Sequence, residues 1–391
     1  MPERIDATVL EQQPRAPVVS TGTRQHVAID CRMAWAAGIG RFIRNVVPRL
    51  ARLEPDWRFT LIGDAPRMLT ASWALGGPSS TTGPQNVRVA QCSAPIYGVR
   101  EQLELPWRTP SDARVFWAPH YNAPVLCRSR LVVTVHDVAH LRLPHFRRNV
   151  LRRTYASTMF GSVVRRADAV MCVSQFTLSE LRELFGPPRG TAAVVHNGVD
   201  ESWFSGNAGR APLPRPYFVF VGDQKPHKNL PTLLNAFASL QRREEVMLAL
   251  IGRRSEYRQR DDSIEPLLRS LGDRVVVTGE LDEQILQGFV RHAVALVQPS
   301  LYEGFGLPPL EAMASGCPVI ASRAASLPEV CGDAALYFDP QDSSALETHM
   351  RTLLHDESLR ADLIARGKRQ AGLFDWSRTA AQVRDILASV A

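Results

Sequence analysis

The segment 300–322, SLYEGFGLPPLEAMASGCPVIAS, holds the densest set of residues that a ligand site could use. Leu307 stands before a proline, where the α conformation is disfavoured, and either of the two prolines that follow suits the first position of a helix. We therefore predict a helix that begins at these prolines, with Glu311 in its first turn and Glu303 in the loop ahead of it.

The loop ahead of these prolines offers a row of free backbone N–H groups, because the prolines themselves have none. Two of its four residues are glycines, which let the backbone approach a ligand closely. Such amides at the positive end of a helix suit a diphosphate. The alternative is a solvated turn in which Glu311 only complements the helix dipole. The donors belong to Gly304, Phe305, Gly306 and Leu307.

A second junction of strand, loop and helix is VGDQKPHKN, residues 221–229. The chain has three lysines among its 46 basic residues, and two of them, Lys225 and Lys228, lie in this loop. A compact ammonium group there would stabilise negative charge that grows on a departing phosphate. The alternative is a surface loop whose lysines are solvated, and the scarcity of lysine argues against it.

The first half of the chain offers two weaker candidates. Gly38 and Gly40 open a helix after the strand 26–30, but the third glycine of a dinucleotide fingerprint is absent, so a simple tight turn is the alternative. His136 follows the strand 131–135 and could hydrogen-bond a sugar hydroxyl or a carbonyl group, or merely cap the strand. There is no G-x-S-x-G elbow for a nucleophile. There is also no D-x-D pair, so a metal-bridged diphosphate is not expected.

Short apolar runs alternate with amphipathic stretches along the chain, which indicates parallel sheets covered on both faces. The 391 residues exceed one compact domain, since about 100–200 residues per domain is usual. We predict the α/β class, with two doubly wound, Rossmann-like domains that face a cleft. The predicted divisions are a flexible extension 1–25, a first domain 26–205, a Gly- and Pro-rich linker 206–216, a second domain 217–375, and a helix 376–391 that crosses back to the first domain.

Charge is unevenly distributed. Residues 1–200 hold 25 Arg and 15 acidic residues, a net +10, whereas residues 201–391 have a net charge of −3. The basic stretch 146–166 combines arginines with an apolar face, which fits contact with an anionic membrane surface. The alternative is a core-packed helix with a solvated basic face. The charge comes from Arg147, Arg148, Arg152, Arg153, Arg165 and Arg166, of which the first four are the expected membrane-facing residues, and the apolar face comprises Val150, Leu151, Tyr155, Met159 and Val163.

The sequence also argues against several locations and partners. It has no apolar run long enough to span a membrane, and its N-terminus lacks the apolar core of a signal peptide. We therefore expect a cytoplasmic protein, at most peripheral at the inner face of the cytoplasmic membrane. Nucleic acid is not an expected partner, because the arginines lack interleaved aromatic residues and no DNA-binding motif is evident.

Taken together, these segments resemble the family-4 retaining glycosyltransferases, which have the two-domain GT-B fold. The resemblance depends first on Glu303 and Glu311 with seven residues between them, and it covers about residues 26–390. Further matching segments are SLPEVCGDAALYFDP (326–340), VVHNGVD (194–200), VTGELDEQIL (277–286) and AIDCRMAWAAGIGRF (28–42).

The resemblance implies a nucleotide-sugar donor held mainly by the second domain and an acceptor bound by the first. It implies retention of anomeric configuration and no need for a metal or other cofactor. Glu303 and His136 would contact the transferred sugar. Glu311 would bind the ribose hydroxyls, and Lys228 would stabilise the leaving diphosphate. The donor-binding loops would add Gly38, Gly40, Gly304, Phe305, Gly306 and Leu307.

One position departs from the family pattern. Many members carry an arginine just after the glycine of the first strand of the second domain. Here Gly222, which we also place at the donor, is followed by Asp223. Lys225 is the donor-site residue expected to compensate.

The segments TVHDVAHLRLPHF (134–146) and GIGRFIRNV resemble the bacterial polysaccharide mannosyltransferases. GDP-mannose is therefore the expected donor, and a glycan or polyprenyl-linked oligosaccharide is the expected acceptor. The alternatives are a UDP-sugar donor, a nucleotide-sugar isomerase and a non-catalytic sugar-nucleotide-binding protein. For an enzyme of this kind we expect Lys228→Ala and Glu303→Ala to abolish transfer and leave the fold intact.

Overall fold

The computed structural model describes residues 25–70, 86–143, 150–206, 209–253 and 263–391, which form two α/β domains. Almost all of the predicted extension 1–25 and part of the predicted linker lie outside the described residues. The strands are β1 His26–Asp30, β2 Arg58–Gly63, β3 Val87–Gln91, β4 Val115–Ala118, β5 Arg130–Val135, β6 Ala169–Cys172, β7 Thr191–Val194, β8 Tyr217–Val221, β9 Met247–Ile251, β10 Val275–Gly279, β11 Ala295–Gln298, β12 Val319–Ser322 and β13 Ala335–Phe338.

Helices follow most of these strands. They are α1 Gly38–Leu53, α2 Ala65–Thr70, α3 Val99–Arg108, α4 Ala139–Arg142, α5 Val150–Arg166, α6 Gln175–Phe185, α7 Glu201–Ser205, α8 Leu230–Leu240, α9 Ile264–Leu271, α10 Glu283–Arg291, α11 Leu307–Ala314, α12 Leu327–Cys331, α13 Ser343–His355, α14 Glu357–Ala371 and α15 Trp376–Ser389. None of the helices among the described residues combines the length and the apolar character that crossing a bilayer requires.

The first sheet has seven parallel strands in the order β3-β2-β1-β4-β5-β6-β7. Helices cover both faces, so successive residues of one strand are buried on opposite sides. Val27 and Ile29 of β1 pack in one cluster with α1, and Ala28 packs in the other cluster with α5. The strand order reverses between β1 and β4, which places the loops after these strands at a crevice.

The second sheet has six parallel strands in the order β10-β9-β8-β11-β12-β13, with its reversal between β8 and β11. Phe218 and Phe220 of β8 pack with α8 and α13, whereas Val219 packs with α11 and α12 on the opposite face. These two sheets confirm the predicted class of two doubly wound, parallel-sheet domains.

Helix α15 packs on the first domain although it follows the second domain in the chain. Trp376, Val383 and Leu387 belong to the same buried cluster as Phe42 of α1, and the rings of Trp376 and Phe42 lie 6.1 Å apart. The chain therefore passes between the two domains twice, once before β8 and once before α15.

Two local predictions were wrong. Helix α11 begins at Leu307 rather than at the prolines, because Gly306 takes the left-handed conformation with φ of 111° and turns the chain one residue sooner. Glu311 consequently lies in the second turn of the helix.

The apolar face predicted for 146–166 does not run along the whole of α5. Met159 and Val163 are buried against the sheet, whereas Val150 and Leu151 at the start of the helix are exposed. The helix thus contacts the core only through its later turns.

Candidate functional site

Two loops of the second domain meet where its strand order reverses. Strands β8 and β11 are neighbours in the sheet, so the loops that follow them leave the same edge side by side. The loop after β8 ends in the 3-10 turn Pro226–Lys228, and the loop after β11 carries Glu303. Asn229 joins the two regions, because its side-chain amide donates to the carbonyl oxygens of Pro299 and Pro340 at 3.0 and 2.8 Å.

Lys228 and Glu303 form a largely buried ion pair between these loops. Nζ of Lys228 donates to both oxygens of the Glu303 carboxylate at 2.7 and 2.9 Å, and the two side chains are 15% and 12% exposed. Gln298 Nε2 and the Ser300 hydroxyl each donate to Oε1 at 2.7 Å. Burial alone would raise the pKa of Glu303, but Lys228 and the hydrogen bonds lower it below its usual value. The carboxylate therefore stays ionised.

This pair presents both charges in fixed positions. An ammonium group that is already oriented stabilises developing negative charge without reorganisation. Among the described residues, Oε2 of Glu303 has Lys228 as its hydrogen-bond partner, whereas Oε1 has three. Oε2 thus keeps the capacity to accept a hydrogen bond from a hydroxyl group.

Gly304 lies directly against the first domain. A Cβ atom at this position would meet the carbonyl oxygen of His136 at 2.0 Å, so a larger residue does not fit without moving the domains apart. Ser174 and Thr177, at the start of α6, donate hydroxyl hydrogen bonds to the carbonyl oxygen of Gly304 at 2.6 and 3.1 Å. The first domain thereby fixes a loop that belongs to the second.

Phe305, the next residue of this loop, contacts residues of both domains. The Phe305 ring is buried between the rings of His196 and Phe374, with centroids 6.0 and 5.8 Å away. The hydroxyl of Ser326 donates to the carbonyl oxygens of Glu303 and Phe305 at 2.9 and 2.7 Å. The loop that holds the predicted donor amides is therefore held by contacts with both domains.

Gly306 and Leu307 begin α11, which carries Glu311 into the boundary between the domains. Glu311 is 4% exposed, and its carboxylate pairs with the guanidinium of Arg41 from α1. Two carboxylates of the predicted site, Glu303 and Glu311, thus each have a cationic partner, one from each domain.

His136 follows β5 and lies beside the Gly304 contact. Its Nε2 is 2.9 Å from the carbonyl oxygen of Pro119, an acceptor, so this nitrogen carries the ring proton. Burial lowers the pKa of His136 below its usual value, although the Pro119 carbonyl opposes this in part. The ring is therefore neutral at pH 7, and Nδ1 is the nitrogen suited to accept a hydrogen bond from a hydroxyl group.

The remaining predicted donor residues lie around this boundary. Gly38 is exposed at the start of α1 with open space beside its Cα, whereas Gly40 is buried. Gly222 follows β8 and donates its N–H to the carbonyl oxygen of Ile251 at 2.9 Å. Lys225 is half-exposed, and its Nζ lies 3.4 Å from the carboxylate of Asp223, so its charge is partly neutralised by the residue it was expected to offset.

The predicted basic surface is described only in part. Arg147 and Arg148 lie outside the described residues, as does the side chain of Arg152, and Arg153 is exposed on α5. Within the described ranges, no group of three or more His, Cys, Asp or Glu side chains is placed to hold a metal ion.

Several residues of the site were missed from the sequence. Gln298 carries a signal that could have identified it, because it is a polar residue that ends the otherwise apolar strand VALVQ. Arg41 and Glu329 act across the domain boundary, and no spacing along the chain indicates such a contact.

Glu329 of α12 binds the start of α6 in the other domain. Its carboxylate accepts the backbone N–H groups of Gln175 and Phe176 at 2.7 and 3.1 Å, and His196 Nε2 lies 2.8 Å away. Burial would raise the pKa of Glu329, but His196 and the two N–H groups lower it below its usual value. The ionised carboxylate thus joins the two domains next to the candidate site.

We expect Glu329→Gln to lower the free energy of unfolding at pH 7 by about 1–3 kcal/mol, since a charged acceptor is lost from the hydrogen bonds that join the two domains. A carboxyl group with a lowered pKa in the folded state stabilises the fold above its unfolded pKa and loses this effect as the pH falls through the folded pKa. The gap between wild type and variant should therefore start to narrow near the unfolded pKa of about 4.3 and close only at lower pH. Urea unfolding at pH 7 and at a series of pH values below about 4 measures it, with the exposed Glu357→Gln as control. A gap that stays constant with pH would contradict this assignment.

Comparison with known protein families gives two matches. Residues 203–370 match the family described as glycosyl transferases group 1, and residues 111–203 match the family described as glycosyltransferase family 4. Together these matches include both loops of the candidate site and His136.

Individual proteins also resemble this chain. The O-antigen chain mannosyltransferase B of Escherichia coli is 31% identical over 280 residues, which cover 68% of this chain and 72% of that protein. The serotype-specific mannosyltransferase WbdA of Escherichia coli is 28% identical over 293 residues, 69% of this chain, and the match spans 34% of that longer protein.

Among solved structures, Anabaena Alr3699/HepE in complex with UDP-glucose matches with a TM-score of 0.73 and 18% identity. The match covers 94% of this chain and 100% of that one. At this identity the likeness shows a shared fold.

Proposed function

This chain belongs to the family-4 glycosyltransferases, and on that premise we propose that it transfers mannose from GDP-mannose to a glycan acceptor with retention of anomeric configuration. It is a glycosyltransferase with two Rossmann-like domains. The observation that carries the proposal is the largely buried Lys228–Glu303 pair at the strand reversal of the second sheet, beside a loop of amides held by contacts with both domains. Relatives named as mannosyltransferases favour mannose as the sugar.

In the proposed reaction each residue has a separate task. Lys228 and the amides of the loop 304–307 stabilise the negative charge that the leaving diphosphate gains as the bond to the sugar breaks. His136, neutral and with Nδ1 as acceptor, orients a hydroxyl group of the sugar. Glu303 does the same through Oε2. The close contact of Gly304 with the His136 backbone holds the segments that carry Glu303 and His136 next to each other.

A UDP-sugar is the alternative donor. A protein with the same fold is known in complex with UDP-glucose, and a diphosphate site built from amides and lysine does not discriminate between bases. The base and the sugar must therefore be tested separately.

The experiment is a thermal-shift panel of GDP, UDP, ADP, GDP-mannose and UDP-glucose, followed by product analysis with the donor that binds. A ligand specific for the folded state at about 100 times its dissociation constant adds about 2.7 kcal/mol of stability. A selective shift with GDP and GDP-mannose is expected. A selective shift with UDP and UDP-glucose would mean that the donor is a UDP-sugar. Conversion of the sugar nucleotide to an isomer in the absence of an acceptor would indicate an isomerase instead.

We further propose that the enzyme reaches a lipid-linked acceptor by binding the membrane surface through α3. Val99, Leu103 and Trp107 recur at four-residue spacing, so they share one face of this helix, and they are 81%, 66% and 74% exposed. The guanidinium of Arg108 stacks on the Trp107 ring at 4.4 Å. An exposed apolar stripe with an indole beside a cation suits the interface of an anionic bilayer.

We expect Leu103→Ser with Trp107→Ser to lower the fraction bound to anionic vesicles by about tenfold or more, because burying one such side chain contributes about 1.5–3 kcal/mol. Co-sedimentation with anionic and neutral liposomes measures this. Ile285→Ser is the matched control, since it removes a half-exposed apolar side chain from the second domain. Equal binding by the variant and the wild type would reject α3 as the membrane surface.

A further inference from the structure

We propose that Arg41 is a donor-binding residue, whose guanidinium binds the diphosphate of the nucleotide sugar from the first domain. Arg41 would supply the second positive charge at the diphosphate, which many family members obtain from an arginine at the position of Asp223. This inference rests on the proposed function, and it adds a residue that neither the motif spacing nor the family matches assign.

The position of Arg41 is determined by the start of α1. It lies in the first turn of this helix, three residues after the exposed Gly38. The first turn contains no acidic residue, so the positive helix end is not neutralised by its own side chains. Arg44, one turn further, is held by the carbonyl oxygen of Ala34. Arg41 is thus the arginine of this turn that extends to the second domain.

The partner of Arg41 lies inside the predicted donor site. Its guanidinium pairs with Glu311, which is 4% exposed, while the Arg41 side chain itself is 25% exposed. The guanidinium therefore contacts a buried carboxylate, while a quarter of the side chain remains exposed at the domain boundary. A planar guanidinium with five N–H donors can bind a carboxylate and phosphate oxygens at once.

The charges of the site require this cation. Glu303 and Glu311 contribute two negative charges, and Lys228 contributes one positive charge. Lys225 lies next to Asp223 and adds no net charge. Without Arg41 the site would be net negative and would repel a nucleoside diphosphate, which is itself a dianion or more. With Arg41 the charges of the two ion pairs balance, and hydroxyl groups of the donor can take over the two carboxylates while both cations turn to the phosphates.

The location also has a mechanical consequence. Lys228 approaches the donor from the second domain and Arg41 from the first, so a diphosphate between them draws the domains together. Donor binding and domain contact are thereby coupled through one guanidinium.

The test compares ligands that differ only in phosphate. Dissociation constants of a nucleoside and of its diphosphate are measured for wild type and Arg41→Met by calorimetry, with the base that stabilises the wild type. We expect the diphosphate to bind about 10- to 100-fold more weakly to the variant and the nucleoside to bind equally. Arg41→Lys should recover part of the loss. Arg52→Met, which removes an exposed arginine from the last turn of the same helix, is the control and should bind both ligands as the wild type does.

Equal losses for nucleoside and diphosphate would overturn the inference, because they would mean that Arg41 acts only by positioning Glu311. Unchanged binding of both would overturn it as well. If the wild type binds no nucleoside diphosphate, the proposed function fails together with the inference. A wild type that binds diphosphate and a variant that binds it equally well would remove the inference alone.

Discussion

Lys228→Met is expected to reduce sugar transfer by about 10²–10³-fold, the usual effect of removing one preoriented group that stabilises charge in a transition state. The loss should appear in kcat, because the ammonium acts most strongly on the charge that the leaving diphosphate gains during the reaction. Initial rates with saturating donor and acceptor measure it. A variant with wild-type kcat would reject Lys228 as the group that stabilises the leaving diphosphate.

The position of the Lys228–Glu303 pair changes the effect on stability that we expect from replacing either residue by alanine. Removal of one partner leaves the other as a buried unpaired charge, which typically costs about 3–5 kcal/mol, so neither Lys228→Ala nor Glu303→Ala should leave stability unaffected. The double variant Lys228→Met with Glu303→Gln removes both charges. It should recover much of the stability of either single variant and none of the activity. Recovery of activity along with stability would mean that the pair has a structural role only.

Gly304→Ala should lower kcat/KM by about 10²-fold or more, since a displacement of roughly 1 Å at a reacting centre has this effect. The added Cβ would meet the His136 carbonyl oxygen, a backbone atom that cannot rotate away, at 2.0 Å. The domains must then separate, and the hydrogen bonds from Ser174 and Thr177 to the same loop lengthen.

The matched control for this substitution is Gly288→Ala, because a Cβ there meets nothing within 4 Å on α10. Its activity should equal that of the wild type, with stability unchanged or raised by about 0.4–1 kcal/mol. Small-angle scattering would compare the separation of the domains in both variants. Full activity of Gly304→Ala would show that the contact with His136 is not needed for transfer.

The architecture could be predicted from the sequence because the central strands of both sheets are buried on both faces. Continuous apolar runs such as YFVFV and MLALI are typical of strands in a sheet that is covered on both faces. The helices between these runs then indicate that the strands are parallel. The same reasoning places Lys228 and Glu303 each in a loop after a strand, but the strand order that makes these loops neighbours was shown only by the structure.

The contacts between the domains could not be predicted in this way. The pairs Arg41–Glu311 and His196–Glu329 join residues far apart in sequence, and their formation depends on how two finished domains pack. The stripe on α3 was also missed. Its apolar residues have helical spacing, but that pattern normally marks a buried face, and only the structure shows Glu101 and Leu105 on the buried side instead.

The position of α15 sets an order of events during synthesis. Helix α1 packs on the first sheet and also against α15, where Phe42 contacts Trp376, and α15 is translated after the whole second domain. At about 5–20 residues per second, synthesis from the end of α7 at Ser205 to the end of α15 at Ser389 takes roughly 10–40 s. The second domain is continuous from β8 to α14 and can complete its core as it leaves the ribosome. The domain that is made first therefore finishes folding last, and during the delay its uncovered face is a natural target for chaperones.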